Sequence, residues 1–182
     1  MPRSEATAHI ALVRGINVGT AKRVSMDDIR AAFAACGFSD AKTVLNSGNV
    51  VFRGPARLQP DASARIEHAL RSRTGVSARV HLLSASELEA VVTDNPLLDV
   101  MSDPSRLFVH FLFGRQPKAV TLPAASDIEP DVLRAGRRAL YQWAPNGLTG
   151  SRMAPGFWRS LGDDVTTRNW RTVLRLQTIA AA

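Results

Sequence analysis

KTVLNSGNVVFR, residues 42–53, decides the fold. Two β-prone runs, Lys42–Leu45 and Val50–Arg53, flank Asn46-Ser47-Gly48-Asn49. Asn, Ser and Gly accept the backbone angles of a tight reversal, so the stretch predicts two strands joined by a turn. Upstream, His9–Val13 reads as a short strand, apolar on both faces and ended by Gly15. Between them Ser25 is placed to cap a helix, with Asp27 and Asp28 in its first turn. Ile29, Ala32, Phe33 and Cys36 recur at helical spacing, and Gly37 stops the helix. Downstream, Pro55 and Pro60 mark a loop. Asp61 opens a second helix to about Arg73, with Ala62, Ile66, Ala69 and Leu70 on one face. Gly75 ends it, and Ala78–Leu83 is a fourth strand.

The order is βαββαβ, the split pattern of a ferredoxin-like unit. It predicts a four-stranded antiparallel sheet over residues 8 to 84 with two helices on one face. Ser86 with Glu89 reads as a capping box for a connecting helix that stops before Asn95-Pro96. In the second half, Arg106–Phe113 is strongly β-prone. Val132–Ala135 and Ala139–Trp143 form a hairpin about Gly136-Arg137, after a Pro-punctuated stretch from Pro117 to Pro130. A helix is expected over Ser151–Leu161. A last one is expected to be capped by Thr167, with Trp170, Val173, Leu174 and Gln177 on a shared face. The fold class is α+β, a tandem of two small units divided as 1–84 and 85–182, with no clear sequence repeat between the halves. In the first strand Ile10 and Leu12 point one way and Ala11 and Val13 the other. The sheet face away from the helices is therefore apolar and needs cover from the second unit or from another chain, which leaves room for an oligomer.

Composition sets outer limits. The 182 residues are 45% hydrophobic, enough for a core. No apolar run approaches the ~20 residues that cross a bilayer. The opening MPRSEATAHIALVRG lacks a signal-peptide core, and a cytoplasmic location without membrane attachment is expected. Cys36 is the only cysteine, which excludes an intrachain disulfide and reads as a buried thiol. The net charge is +7, and a strongly basic chain is the first footprint of a nucleic-acid binder. Of the 23 basic residues only Lys22, Lys42 and Lys118 are lysine, and the arginines are scattered, so a solvated surface explains the charge as well.

Three segments carry more polar residues than folding demands: RGINVG (Arg14–Gly19) with Lys22, NSGN (Asn46–Asn49), and TTRNW (Thr166–Trp170). In a βαββαβ sheet the third strand lies between the first two and antiparallel to them. The end of the first strand and the turn between the second and third then share one sheet edge. Arg14, Asn17, Asn46, Ser47 and Asn49 should cluster there, beside glycines that let backbone N–H groups approach an anion. Arg168 and Asn169 are expected to join them, since an arginine at a helix start is poorly placed for the helix and better placed for a carboxylate or bound anion. The ligand-binding set is Arg14, Asn17, Lys22, Ser47, Asn49, Arg168 and Asn169, with nucleic acid or a small anionic ligand as partner.

Other chemistries find less support. RGINVG lacks the Gly-Lys-Ser/Thr ending of a P-loop and the third glycine of a dinucleotide fingerprint. His9, His68, His81 and His110 have no metal-ligand spacing, and His9, His81 and His110 sit in strands as core histidines. No metal or cofactor is expected. No nucleophile elbow or carboxylate pair is present, and no catalytic residue is assigned. An enzyme using the polar cluster, with Arg14 and Arg168 stabilising charge, and a structural or regulatory protein acting through its sheet faces are the alternatives to a binding protein. An RNA-recognition platform is disfavoured, because the central strands carry Phe52 as their sole aromatic.

The chain resembles the family called domain of unknown function 1697. The resemblance is carried by RGINVG, Met26, Gly37-Phe38, SGNVVF (Ser47–Phe52), Glu87-Leu88 to Asn95-Pro96, Phe108–Leu112, Tyr141, Gly147, and TTRNW with Thr172-Val173. It departs at Leu45 and Asn46, where the family pattern usually has an aromatic or aliphatic residue followed by Gln. The resemblance implies a tandem of α+β units and no particular activity.

Overall fold

The turn after Leu45 does join two strands, β2 (Ser39–Val44) and β3 (Asn49–Gly54). A computed structural model describes residues 6–17, 23–45 and 47–182. Lys22 and Asn46, both expected at the polar edge, lie outside the described residues. Around the hairpin stand β1 (Thr7–Arg14), α1 (Met26–Ala35), α2 (Ala62–Thr74) and β4 (Arg79–Ser84). The sheet runs β2-β3-β1-β4, antiparallel throughout. This is the expected βαββαβ arrangement, with β1 and β3 adjacent.

Local chemistry sets the element ends. Ser25 Oγ accepts from the Asp28 backbone N–H at 3.0 Å and caps α1. Gly75, at φ 71°, ends α2. β2 begins earlier than its sequence suggests and carries an irregularity between Ser39 and Lys42, where Asp40 takes φ 52°. Leu45, which β-propensity places inside the strand, is instead left-handed at φ 59° and exposed. The reversal needs a left-handed angle here, ahead of its glycine.

One core of this unit packs the two helices on the sheet. Ala11, Val13, Val50, Phe52 and Val80 face Ile29, Phe33, Ile66 and Leu70. Alternation turns Ile10, Leu12 and Val51 to the other face, and all three are buried as well. Besides the βαββαβ itself, the unit takes in residues up to Leu88 and the segment Arg175–Ala182. Leu88, Leu176 and Ala180, from these two additions, are buried.

The second unit, Glu89–Leu174, repeats the plan. After β5 (Leu107–Leu112) come a short α4 (Ala125–Ile128), the hairpin β6 (Val132–Ala135) and β7 (Ala139–Trp143), α5 (Pro155–Ser160) and β8 (Val165–Asn169). Its sheet order, β6-β7-β5-β8, matches the first sheet strand for strand, again antiparallel. In both units the fourth strand runs directly into a helix: β4 into α3 (Ala85–Thr93), and β8 into α6 (Trp170–Ala181).

The caps at these two junctions differ from those the sequence suggests. Ser84, not Ser86, caps α3: its Oγ accepts from Glu87 N–H at 3.1 Å, and Glu87 Oε2 accepts from Ser84 N–H at 2.9 Å. Asn169, not Thr167, caps α6, with Oδ1 accepting from Thr172 N–H at 2.9 Å. Thr167 is instead drawn into β8 as the partner of His110 in β5. The buried stripe of α6 is Trp170, Val173, Leu176 and Ala180, and Leu174 is exposed. α5 is shorter than the expected helix because Pro155 fixes its first turn. A division at 84/85 puts all of the last helix in the second unit, whereas its final turns belong to the first. Their apolar stripe supplies burial that strand order along the chain does not reveal. No helix among the described residues is long and apolar enough to cross a membrane.

Candidate functional site

At the β1 end of the first sheet the two polar loops meet as topology requires. Val13 N–H donates to Gly48 O at 2.7 Å, and Leu12 pairs with Asn49. Left-handed residues concentrate here: Gly15, Asn17, Leu45 and Gly48 all have positive φ. Gly48 is required on a second ground. A Cβ there would lie 2.5 Å from Val13 O, inside any tolerable contact.

The amide side chains of this edge hold its loops. Asn17 Nδ2 donates to Val24 O at 3.3 Å and its Oδ1 accepts from Val24 N–H at 2.9 Å, so one side chain ties Asn17 to both backbone groups of Val24. Asn49, fully buried, donates to Val44 O at 3.1 Å and to Ser47 Oγ at 2.8 Å, which closes the β2–β3 reversal.

Arg14 is exposed at the end of β1. Its direct cross-strand partner in β4 is Arg79, also exposed. Directly opposed residues in an antiparallel pair share a face, with Cβ atoms roughly 5 Å apart, and like charges so placed are destabilising. Sequence reading does not single out Arg79, because only the β1–β4 register brings it beside Arg14.

Arg168 and Asn169 belong to the second unit. Arg168 sits within β8, not at a helix start. Its Nη1 donates to Thr166 Oγ1 at 2.9 Å and to Thr167 O at 2.8 Å, and burial lowers its pKa to about 10. Asn169 serves as the α6 cap.

The second unit also holds a polar network that the sequence does not announce. His110, buried, places Nδ1 at 2.8 Å from Thr167 Oγ1 and Nε2 at 3.0 Å from Gln142 Oε1. Gln142 Nε2 donates to Asp131 Oδ2 at 2.8 Å and to Ser151 Oγ at 3.0 Å, and Ser151 Oγ donates to Asp131 Oδ2. Trp158 of α5 stacks on the His110 ring, with centroids 4.0 Å apart. The five residues of the network are scattered along the chain; the pairing of β5 with β7 and β8 brings His110, Gln142 and Thr167 together, and Asp131 and Ser151 join through Gln142.

Desolvation drives the pKa of His110 from 6.5 down to about 3. Between those values the unfolded chain carries a proton that the folded chain does not. Stability should therefore be unaffected by this group above about pH 6.5 and fall below it, by about 1.4 kcal/mol per pH unit. Urea midpoints measured from pH 7 to pH 4 should show this fall, and His110→Gln should flatten it. An equally steep fall in the variant would assign the acid sensitivity to other groups.

No group of three or more His, Cys, Asp or Glu side chains suited to a metal occurs among the described residues. Burial raises the Cys36 thiol pKa, against a smaller lowering by Arg65.

Two four-stranded βαββαβ-like units in tandem, each continued by a helix, define a two-unit α+β architecture. The chain belongs to the family described as "Protein of unknown function (DUF1697)", whose model matches residues 6–141. The TTRNW segment lies beyond that match. The fold is shared with a solved structure described as conserved bacterial protein SP0830 from Streptococcus pneumoniae. The two are 20% identical, with a TM-score of 0.70 over 97% of this chain and 99% of that one. No curated protein matches the sequence.

Proposed function

We propose that this protein is a non-enzymatic binding protein for an anionic ligand, nucleic acid or a phosphorylated metabolite. The binding edge is the end of β1, where Arg14 and Arg79 stand as cross-strand partners beside the RGIN and SGN loops. The juxtaposed arginines carry the reading. A phosphate approaching both accepts charge-assisted hydrogen bonds from each. The left-handed residues of the two loops favour the same reading, since such backbone turns N–H groups outward into anion-binding concavities. Asn17, Ser47 and Asn49 contribute by holding the loops. A cytoplasmic location goes with this reading and with the lone thiol.

Fluorescence anisotropy with a labelled single-stranded oligonucleotide at low salt tests it, with inorganic phosphate as competitor. Arg14→Ala and Arg79→Ala should each weaken binding. Each should also reduce the log–log salt slope by about 0.7 for every phosphate no longer neutralised. Arg168→Ala, run in parallel, tests whether the third polar segment takes part. Absence of binding at low salt, together with no thermal shift in phosphate, would remove the proposal.

A further inference from the structure

The positive charge at the β1 end of the first unit does not stop at Arg14 and Arg79. A short link, Gly75 to Ala78, joins the last turn of α2 to the start of β4, so Arg71 and Arg73 come to the same end. Two contacts hold α2 there. Glu67 Oε1 accepts from Val80 N–H at 2.8 Å, which ties α2 to β4 beside Arg79. Arg73 Nη2 lies 3.6 Å from Asp28 Oδ1, which sets the last turn of α2 against the first turn of α1. Arg71 and Arg73 are both exposed. The carboxylates nearby are engaged. Glu67 holds the Val80 N–H, Asp28 Oδ2 accepts from Ser25 Oγ at 2.7 Å, and Asp27 pairs with Arg30.

These cations stand in two layers. Val13 and Val80 pack in the core under the helices, so alternation turns Arg14 and Arg79 to the other side of the sheet. Arg71 and Arg73 belong to the helix layer. A single phosphate bound between Arg14 and Arg79 leaves the helix layer without an anion. An extended polyanion meets both.

We infer that the ligand of this end is the phosphate backbone of a nucleic-acid duplex, bound without regard to base sequence. The inference rests on the anion-binding reading above and narrows it. A duplex carries one negative charge per about 1.7 Å of its axis, so each layer finds phosphates of its own. Single-strand binders add aromatic side chains on which bases stack. The Phe, Tyr and Trp residues of the first unit are Phe33, Phe38 and Phe52, and all three are buried. Contact with the backbone is what remains to such a surface, and backbone contacts carry no sequence information directly.

The test is fluorescence anisotropy of the full chain with a short labelled DNA duplex over a range of salt. A duplex of unrelated sequence, a matching RNA duplex and the single strand are run beside it, with the thermal shift in inorganic phosphate as the small-anion probe. Both DNA duplexes should bind equally and more tightly than the single strand. The log–log salt slope should be steeper than about −1.8, which corresponds to more than two phosphates neutralised. Arg71→Ala should make it shallower by about 0.9 and weaken both duplexes alike. Arg159→Ala, an exposed arginine of the second unit, should change neither. Tight binding of the RNA duplex supports the inference equally and shows which duplex is preferred. A tighter single strand, unequal DNA duplexes, or an Arg159→Ala effect as large as that of Arg71→Ala would overturn it. An unchanged slope in Arg71→Ala beside a reduced one in Arg14→Ala would overturn it too, and leave the Arg14–Arg79 anion site standing. So would a thermal shift in phosphate without duplex binding. Failure of every probe, phosphate included, removes both readings.

Discussion

Phe52→Ala should lower the stability of the first unit by about 3–5 kcal/mol, the usual range for removing a large aromatic side chain from a core. Phe52 is fully buried, and its ring centroid lies 5.0 Å from that of Phe33, 4.8 Å from Phe38 and 5.5 Å from His9. These partners come from β1, α1 and the residue just before β2, so no single element can move inward to fill the space. The check is the urea midpoint of the first unit's unfolding at unchanged slope. A loss below about 1 kcal/mol would mean that the aromatic cluster closes up after truncation, contrary to the packing described.

Gly48→Ala should be nearly as costly. The substituted residue must hold φ near 74° and place its Cβ 2.5 Å from Val13 O, a backbone atom near the end of the inner strand β1. The left-handed angle costs about 1–2 kcal/mol. Relieving the overlap adds about 1–3 kcal/mol. Because Val13 N–H donates to Gly48 O, the shift also separates the two loops on which anion binding is proposed. Two readouts are expected to move together: the urea midpoint falls, and oligonucleotide affinity drops although no charge has been removed. A variant of unchanged stability would contradict the close approach.

The first unit is legible because its punctuation is local. Ser25, Gly37, the 46–49 turn and Gly75 each mark an element boundary within a few residues, and strand order follows from the βαββαβ pattern. The second unit gives up its hairpin, at 132–135 and 139–143, for the same reason. It hides its first crossover, because the stretch from Pro117 to Pro130 contains only a four-residue helix, α4, and one short 3-10 turn. It hides β8 too, because TTRN reads as a helix start until β5 is available to pair with it. Of the candidate site, the meeting of RGIN with SGN can be deduced, since parallel first and second strands place both loops at one edge. Arg79 cannot, because a register is a relation between segments some 65 residues apart. Nor can the partners of His110, whose neighbours are set by two strand pairings and a helix lid.

The assignment of Arg175–Ala182 to the first unit bears on how this protein is made. Translation adds roughly 5–20 residues per second, and N-terminal segments leave the ribosome first. The strands and both helices of the first unit are synthesised early, yet its last members follow only after the whole of the second unit. For an interval on the order of ten seconds, the first unit lacks these residues. A stop codon at Arg175 would leave the N-terminal unit, not the C-terminal one, unfinished.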